Sequence, residues 1–536
     1  MGQPCDEGVL VSSRTNAICS PGSAPWILAA TILGSSLAFI DGTVVNLALP
    51  ALQANLGATV TAMQWVVESY ALLLTSFMLV GGSLGDIYGR KRIFIAGVIV
   101  FAAASMWCGL ASSVSVLIVA RCLQGIGGAL LIPGSLAILG ASFKESERGK
   151  VIGTWSGFTS ITSAAGPVLG GFLIEHASWR WVFFLNLPVA LAVLGITISH
   201  VPESRNEKAA ARLDWPGALL ASIGLGGLVY ALVESAKRPW SDPVLIAAAL
   251  VGLTALIVFI AVEHNSSVPL LPLGLFRSRT FSGVNLLTLF LYGALSGLLF
   301  FLPLNLIQVQ GYSATSAGGA MLPFILLMFL LSRWSGGLVD RYGARRPLVI
   351  GPIIVAMGFA LFALPGIGGG YWTTYFPAVM VLGVGMAISV APLTTTVMNS
   401  VPVEHAGTVS GINNAVSRLA GLLAIAVLGV VMLAVFNRNL ASGLVRLDLD
   451  SETRLKIENQ REKLAAIHVP EPIESEKKAE IEKTIDESFL AGFRIVMLSG
   501  SVLALLSAGA AWISIKGTQN PHATTSASET SPLPAP

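Results

Sequence analysis

The sequence predicts an all-α integral membrane protein with fourteen transmembrane helices. Of its 536 residues 54% are hydrophobic and only 11% are charged, too little charge to cover the surface of a soluble protein of this length. Fourteen apolar segments each reach the roughly 17–25 residues that cross a bilayer. Backbone polar groups must be satisfied within lipid, so these segments are predicted to be helices. They lie near residues 26–48, 63–84, 92–111, 116–138, 151–174, 182–200, 214–234, 244–262, 281–303, 317–338, 348–364, 373–396, 408–435 and 489–515.

Basic residues divide unequally between the two sides of the predicted bundle. Short loops after even-numbered helices hold fourteen Lys and Arg residues, whereas short loops after odd-numbered helices hold three. The fourteen are Arg90, Lys91, Arg92, Lys144, Arg148, Lys150, Arg205, Lys208, Arg212, Arg277, Arg279, Arg341, Arg345 and Arg346, and the three are Arg180, Lys237 and Arg238. Such residues concentrate on the cytoplasmic side. The chain is therefore predicted to cross the inner (plasma) membrane many times with both termini in the cytoplasm.

A glycine-rich turn after the second helix recurs after the tenth. The two copies contain Gly82, Asp86, Gly89 and Arg90, and Gly336, Asp340, Gly343 and Arg345. In each copy one Gly precedes the Asp by four positions and another follows it by three. Glycine permits close backbone approach and positive φ, and the Asp can cap a helix or pair with an Arg. Recurrence of the same order favours two related tight turns over unrelated basic loops.

The spacing of these turns predicts the domain organisation. Residues 1–25 form a polar cytoplasmic tail, and the first six helices occupy 26–200. A linker with two inserted helices follows at 201–262, and a second six-helix bundle occupies 263–515. Within it, 436–487 is predicted to be a solvated external linker with at most a short helix, and 516–536 a disordered tail. The predicted architecture is two six-helix bundles with a spare pair of helices between them.

Asp41 is the most informative residue of the first helix. A carboxylate at membrane depth is costly unless it faces a cavity or a partner, and it usually has a function. It therefore becomes a candidate for proton coupling, although a permanent structural pair with a buried Arg is the alternative. Asn46 lies about 140° further around the helix, and we place it among candidate cavity residues.

Glu68 is a second acid, in the second helix near the outer third of the membrane. It could bind a cation or relay a proton. It could equally reach water at the outer mouth of the bundle.

The fourth and fifth helices carry the remaining candidates of the first half. Arg121 is a lone cation in a long apolar segment and requires a counter-charge or a polar cavity. Gln124 follows it on the same helix as a candidate cavity residue. The fifth helix contains Gly166, Pro167, Gly170 and Gly171. These residues allow bending and close helix packing.

Helix 13 gives the second half a polar cluster. Asn413, Asn414 and Arg418 lie in it, with Asn414 and Arg418 one turn apart. Such residues are suited to lining a substrate cavity. Asp41 and Arg121 remain the better candidates for coupling.

Taken together, these motifs resemble the major facilitator superfamily and, within it, the fourteen-helix drug:proton antiporters. The resemblance covers essentially residues 26–515. It rests on five motifs: Asp41 through Pro50, Gly82 through Lys91, Arg121 with Gln124 and Gly125, Gly166-Pro167 with Gly170-Gly171, and Trp179-Arg180-Trp181 with Asn186 and Pro188. Glu68 and the long external loop depart from the family pattern.

The resemblance implies the major facilitator fold and alternating access around a central cavity. It implies that Asp41 and Arg121 couple protons, that Asp86 and Arg90 gate, and that the fifth-helix motif is the one associated with antiport. The expected function is proton-coupled export of amphipathic or cationic drug-like compounds. Two alternatives stay open: proton-coupled transport of a small polar metabolite, and a membrane sensor or scaffold that transports nothing.

No enzymatic constellation, metal-ligand spacing or nucleotide-binding GxxxxGK[ST] pattern occurs in the sequence, so we expect no enzyme activity, cofactor or metal. The expected partners are the lipid bilayer, protons and a small-molecule substrate, with no nucleic acid. We expect a monomer, and periplasmic or outer-membrane efflux components are candidate partners.

Overall fold

A computed structural model describes residues 22–143, 145–205, 214–235, 237–266, 269, 271–400, 406–447 and 449–515. All regular secondary structure in these ranges is helical, which confirms the predicted all-α membrane fold. Twelve helices among the described residues are long and apolar enough to cross a membrane, and thirteen if a helix bent by 47° counts as one span. The predicted tails lie outside the described residues except for 22–25.

Each of the fourteen predicted spans corresponds to a helix, and many helices are longer than predicted. They are α1 (Ala24–Leu56), α2 (Val60–Tyr88, the bent one), α3 (Arg90–Gly109), α4 (Val114–Ser142), α5 (Glu145–His176), α6 (Arg180–Phe184 and Asn186–His200), α7 (Trp215–Glu234), α8 (Pro243–Asn265), α9 (Arg279–Leu304), α10 (Ala314–Gly319 and Leu322–Gly336), α11 (Arg345–Phe362), α12 (Phe376–Asn399), α13 (Ala406–Arg446) and α14 (Ser475–Ser514).

Short polar residues set where several helices begin. The side chains of Thr59, Ser113, Asp214 and Asp242 each accept a hydrogen bond from a backbone N–H in the first turn of α2, α4, α7 and α8. Such caps satisfy donors that a helix N-terminus otherwise leaves unpaired. These capping residues thereby set the residue at which each of the four helices begins.

The helices pack into two bundles and an inserted pair. In the N-terminal bundle α4 packs against α2 and α3, and α1 packs against α5. In the C-terminal bundle α11 packs against α12 and α14, and α9 packs against α13 and α14. The inserted helices α7 and α8 pack against each other, and α7 also contacts α2 and α13. The two-bundle fold with an inserted pair agrees with the sequence prediction.

Two sides of this bundle can be defined. We call the side with the Asp86 and Asp340 turns the turn side, and the side with the 436–487 segment the loop side. Hydrogen bonds between described residues of the two bundles lie near the loop side. Gln64 donates to the Ile425 carbonyl (3.0 Å), and the Thr315 N–H donates to Glu175 (3.1 Å). The loop side is therefore closed in this conformation.

The 436–487 segment is folded, so the prediction of a solvated linker with at most a short helix is wrong. α13 continues to Arg446, and α14 already begins at Ser475. Between them lie a short helix, Ser451–Glu458, and a 3₁₀ helix, Arg461–Ala466. The segment folds because it buries apolar side chains. Those that are at most 2% exposed are Phe436, Leu440, Leu444, Ile457, Leu464, Ile481 and Ile485.

This segment also joins parts of the bundle on the loop side. Gln53 of α1 donates to the Lys463 carbonyl (2.9 Å) and accepts a hydrogen bond from Gln308 (3.0 Å). Lys237, which follows α7, pairs with Glu462 at 3.9 Å. The N-terminal bundle, the C-terminal bundle and the inserted pair are thus linked around the 3₁₀ helix.

Candidate functional site

Asp41, Arg121 and Gln124 form one buried polar network between α1 and α4. The Arg121 guanidinium donates a hydrogen bond to Asp41 Oδ2, and Gln124 Nε2 donates to Asp41 Oδ1 at 2.8 Å. Arg121 also donates to Gln124 Oε1 at 2.8 Å. The three side chains are at most 1% exposed. The pairing expected for two intramembrane charges is present, and Gln124 is part of it.

α2 holds this network from the other side. Arg121 Nε donates to the Val66 carbonyl at 3.0 Å, and its guanidinium lies 4.1 Å from the centre of the Tyr70 ring. A Cβ at Gly125 would lie 2.5 Å from the Tyr70 carbonyl oxygen, so glycine permits this approach of α2 to α4. No local pattern in the sequence indicates this position of Tyr70 beside Arg121.

The burial of this pair makes each charge depend on the other. Taking one partner from a buried ion pair typically costs about 3–5 kcal/mol, because it leaves an uncompensated charge. Protonation of Asp41 would neutralise its carboxylate without removing any atom. The network therefore has the chemistry of a switch, and it is equally the structural pair that the sequence left open as an alternative.

Open space lies next to Asp41. Gly42 is exposed although it sits within a membrane helix, and a Cβ added there would meet no heavy atom within 4 Å. Asn414 of α13 is exposed as well, and Arg418, one turn further on, is half-buried. The Arg418 guanidinium lies 6.0 Å from the centre of the Phe39 ring of α1. Phe39 of one bundle and Arg418 of the other therefore face each other beside open space on α1.

Two other predicted cavity residues have different surroundings. Asn46 is 9% exposed and donates to the Gly42 carbonyl of its own helix at 3.3 Å. Asn413 donates to Asn285 and Thr288 of α9 at 3.1 and 2.8 Å. Both amides thus make hydrogen bonds within their own bundle, whereas Asn414 is exposed and Arg418 half-buried.

Glu68 lies apart from Asp41 and Arg121. It is 0% exposed, and neither carboxylate oxygen has a hydrogen-bond partner among the described residues. At 100° per residue, Glu68 projects about 200° around α2 from Tyr70. Its neighbours on that face are Gln64, which bonds to α13, and Trp65, which donates to Glu234 of α7 at 2.9 Å. Glu68 is thus a separate buried acid on the side of the inserted pair.

The first glycine-rich turn has an ion pair at its centre. Arg90 donates to Asp86 through Nε at 3.0 Å and through Nη2 at 2.8 Å. Gly89 has a φ of 110°, and a Cβ there would lie 2.6 Å from a carboxylate oxygen of Glu203. Glu203 accepts hydrogen bonds from the Lys91 and Arg92 N–H groups (3.0 and 3.3 Å). Of the two roles that the sequence left open for Asp86, a helix cap or a pair with an Arg, the structure has the pair with Arg90. The Glu203 cap was not predicted.

The closest approach of α2 to α4 near this turn is not at Gly82. A Cβ at Gly82 would lie 3.6 Å from Pro133, in ordinary contact. At the neighbouring Gly81 a Cβ would overlap the Ala129 carbonyl of α4. The requirement for glycine is therefore stronger at Gly81.

The second turn repeats the backbone of the first with different side-chain contacts. Gly343 has a φ of 74°, and its N–H bonds to the Val339 carbonyl at 2.9 Å. Arg345 stacks over the Trp512 ring of α14 at 3.8 Å. The side chain of Asp340 lies outside the described residues. The positive φ of Gly343 explains why glycine recurs at this position. Among the described residues, Arg345, the basic residue of the second turn, packs on an aromatic ring instead of pairing with an acid.

The fifth-helix motif lies where α5 meets both bundles. A Cβ at Gly170 would overlap Val44 of α1, and one at Gly166 would lie 2.9 Å from Thr43. On the other side, a Cβ at Gly171 would lie 2.5 Å from the Ala314 carbonyl of α10, and a Cβ at Gly318 would overlap the Pro167 carbonyl. The motif therefore lets α10 approach α5 and forms part of the loop-side closure.

No group of three or more His, Cys, Asp or Glu residues is placed to hold a metal ion in the part of the chain that the structure describes. In the network of Asp41, Arg121 and Gln124, both carboxylate oxygens of Asp41 accept hydrogen bonds from the other two side chains.

Comparison with known proteins identifies the family. The family model of the Major Facilitator Superfamily matches residues 31–425. The chain belongs to this superfamily. It is 33% identical over 501 residues to "Multidrug resistance protein Stp" of Mycobacterium tuberculosis (strain CDC 1551 / Oshkosh), covering 90% of this chain and 91% of that protein. The resemblance drawn from the motifs is confirmed, and the protein is a multi-pass membrane protein.

Other relatives and solved structures agree. The chain is 33% identical over 411 residues to "Tetracenomycin C resistance and export protein" of Streptomyces glaucescens, covering 76% of each. It is 35% identical over 411 residues to "Puromycin resistance protein pur8" of Streptomyces alboniger (76% of this chain, 81% of that protein). A bacterial homologue of the human lysosomal transporter Spinster, solved inward-facing, has a TM-score of 0.64 at 17% identity, covering 94% of this chain and 100% of that chain. This last likeness concerns the fold alone.

Proposed function

We propose that this superfamily member is a proton-coupled exporter of amphipathic, drug-like compounds. The observation that carries the proposal is the buried pair of Asp41 and Arg121, with open space on α1 at the neighbouring Gly42. The names of its relatives, which describe multidrug resistance and the export of an antibiotic, support the direction of transport and the substrate class.

The proposed mechanism uses Asp41 as the proton acceptor. Proton uptake neutralises its carboxylate, weakens the hold on Arg121 and changes the relative stability of the two conformations of the transporter. The bundles then rock around the central cavity. The fifth-helix glycines close the loop side, and the Asp86–Arg90 turn gates the other. No covalent step is needed, so we infer transport without enzymatic chemistry.

The proposed orientation places the turn side in the cytoplasm. The excess of Lys and Arg in the turn-side loops supports this orientation. The conformation described here would then be closed to the outside. We propose a location in the inner (plasma) membrane and a monomer as the working unit, with periplasmic or outer-membrane efflux components as candidate partners.

The proposal is tested by transport in everted membrane vesicles. An imposed proton gradient should drive uptake of an amphipathic fluorescent dye by the wild type. It should fail to do so with Asp41→Asn, while Glu487→Gln, which removes an exposed carboxylate, should behave as wild type. Absence of gradient-driven uptake by the wild type across a broad dye panel would contradict drug export and favour a narrow metabolite substrate.

A further inference from the structure

We propose that Arg418 is an anion-binding residue of the transport cavity, so that the compounds carried include amphiphiles with a carboxylate, sulfonate or similar anionic group. This inference rests on the proposed export function and narrows its substrate class. The described charges around Asp41 and Arg418 do not balance.

The carboxylate of Asp41 is already engaged. Its two oxygens accept hydrogen bonds from Arg121 and Gln124. Glu68, the other buried acid among the described residues of the N-terminal bundle, projects toward the inserted pair and away from this network. Among the described residues, Arg418 makes no hydrogen bond or ion pair, and its one ring contact is with Phe39. Among the described charged groups of this network and its surroundings, cations therefore outnumber carboxylates by one.

The surroundings of Arg418 suit a ligand with an anionic head and an apolar body. Asn414 lies one turn before Arg418 and is exposed. Phe39 lies opposite on α1, with its ring centre 6.0 Å from the guanidinium. The space beyond Gly42, one turn along α1 from Phe39, holds no heavy atom within 4 Å of a built Cβ. A head group at Arg418 would leave the rest of the molecule against Phe39 and in this space.

The chemistry of a guanidinium favours this ligand class. An unpaired cation at membrane depth is costly, and that cost falls when an anion is bound. Arg presents planar, paired donors that match carboxylate and similar oxyanion groups. A cationic amphiphile would meet repulsion from Arg418, because Asp41 is already neutralised by Arg121.

The membrane potential would favour export of such a ligand. Moving one elementary charge across 100 mV involves about 2.3 kcal/mol, and an inside-negative potential drives an anion outward. Proton coupling would then arise from the conformation that protonated Asp41 prefers, since a proton and an anion do not compete electrostatically for one site.

The test measures binding by the purified full-length chain in detergent. Two fluorescent naphthalene amphiphiles of the same skeleton are compared, one with a sulfonate and one with a trimethylammonium group. The wild type should bind the sulfonate at least about tenfold more tightly. Arg418→Gln should lose that preference, and Arg418→Lys, which keeps the charge, should retain much of it. Asp41→Asn should strengthen sulfonate binding, because it removes a negative charge near the cavity.

Each outcome decides the inference. Equal or tighter binding of the ammonium probe by the wild type overturns it, and so does unchanged sulfonate preference in Arg418→Gln. If Arg418→Gln does not fold, the inference is still tested by the relative binding of the two probes to the wild type and to Arg418→Lys. Export is measured separately in vesicles. Sulfonate binding without any export would contradict the proposed function alone, whereas export of the sulfonate amphiphile at the same rate by the wild type and Arg418→Gln would contradict this inference alone.

Discussion

The guanidinium of Arg121 on α4 pairs with the carboxylate of Asp41 on α1, and both side chains are shielded from solvent almost completely. Gln124 bonds to both partners, so the pair is held in one geometry. Open space at Gly42, the next residue of α1, adjoins the network. A single proton on Asp41 would therefore weaken a contact between α1 and α4.

The first prediction concerns the stability of this pair. Arg121→Met should cost about 3–5 kcal/mol, because it leaves Asp41 charged and buried. The double variant, with Asp41→Asn and Arg121→Met, should lose less stability than the sum of the losses in the two single variants. It contains no uncompensated buried charge. Thermal unfolding in detergent measures all four proteins. Additive effects would show that the two side chains do not depend on each other.

The second prediction concerns the first turn. Gly89→Ala should lower stability by about 1–3 kcal/mol, because alanine is strained at a φ of 110° and its Cβ would collide with Glu203. Gly195→Ala is the matched control, since a Cβ there meets no heavy atom within 4 Å. Thermal unfolding and transport rate are compared for both variants. A Gly89→Ala protein as stable and active as Gly195→Ala would refute the proposed need for glycine.

The third prediction concerns closure of the loop side. Gly171→Leu should hold α10 away from α5, because even a Cβ would lie 2.5 Å from the Ala314 carbonyl. A cysteine introduced as Gln308→Cys, with the native cysteines replaced, should then react several-fold faster with a membrane-impermeant maleimide. Gly319→Leu is the control, as open space surrounds Gly319. Equal labelling in the two variants would argue against a closing role for the motif.

The fourth prediction separates Glu68 from the coupling network. Glu68→Gln should keep proton-driven transport, because Glu68 projects to the α7 and α13 side of α2. Glu68→Leu should raise the unfolding temperature by a few degrees, since it removes a buried carboxyl group without a described partner. Transport measured at two imposed proton gradients tests the first point. Loss of gradient dependence in Glu68→Gln would assign the proton to Glu68.

Much of the fold could be predicted from the sequence, because the bilayer imposes simple rules. Length, hydropathy and the recurring glycine turn located all fourteen helices, with ends displaced by a few residues to more than ten. The exception is 436–487, where apolar residues recur at helical spacing beyond the end of the predicted span. Phe436, Leu440 and Leu444 are spaced by four and all are buried. That spacing continues the preceding helix beyond its purely apolar part.

The candidate site was predictable where a residue is unusual for its surroundings. Asp41 and Arg121 stand out because charges are rare in apolar helices, and their pairing follows from electrostatics. Contacts between distant segments leave no such local signal. Glu203 caps α3 from the linker after α6, and Tyr70 lies beneath Arg121. Neither contact can be read from composition or spacing, because both depend on how the helices pack.

Proton flux in proteoliposomes tests the central claim most directly. Purified protein is reconstituted with a pH-sensitive dye in the lumen, and an outward gradient of a transported amphiphile is imposed without any initial pH difference. The wild type should move protons against the substrate flow, and Asp41→Asn, matched for stability and incorporation, should move substrate with no proton flux or move neither. Proton movement by Asp41→Asn at the wild-type rate would contradict Asp41 as the coupling residue.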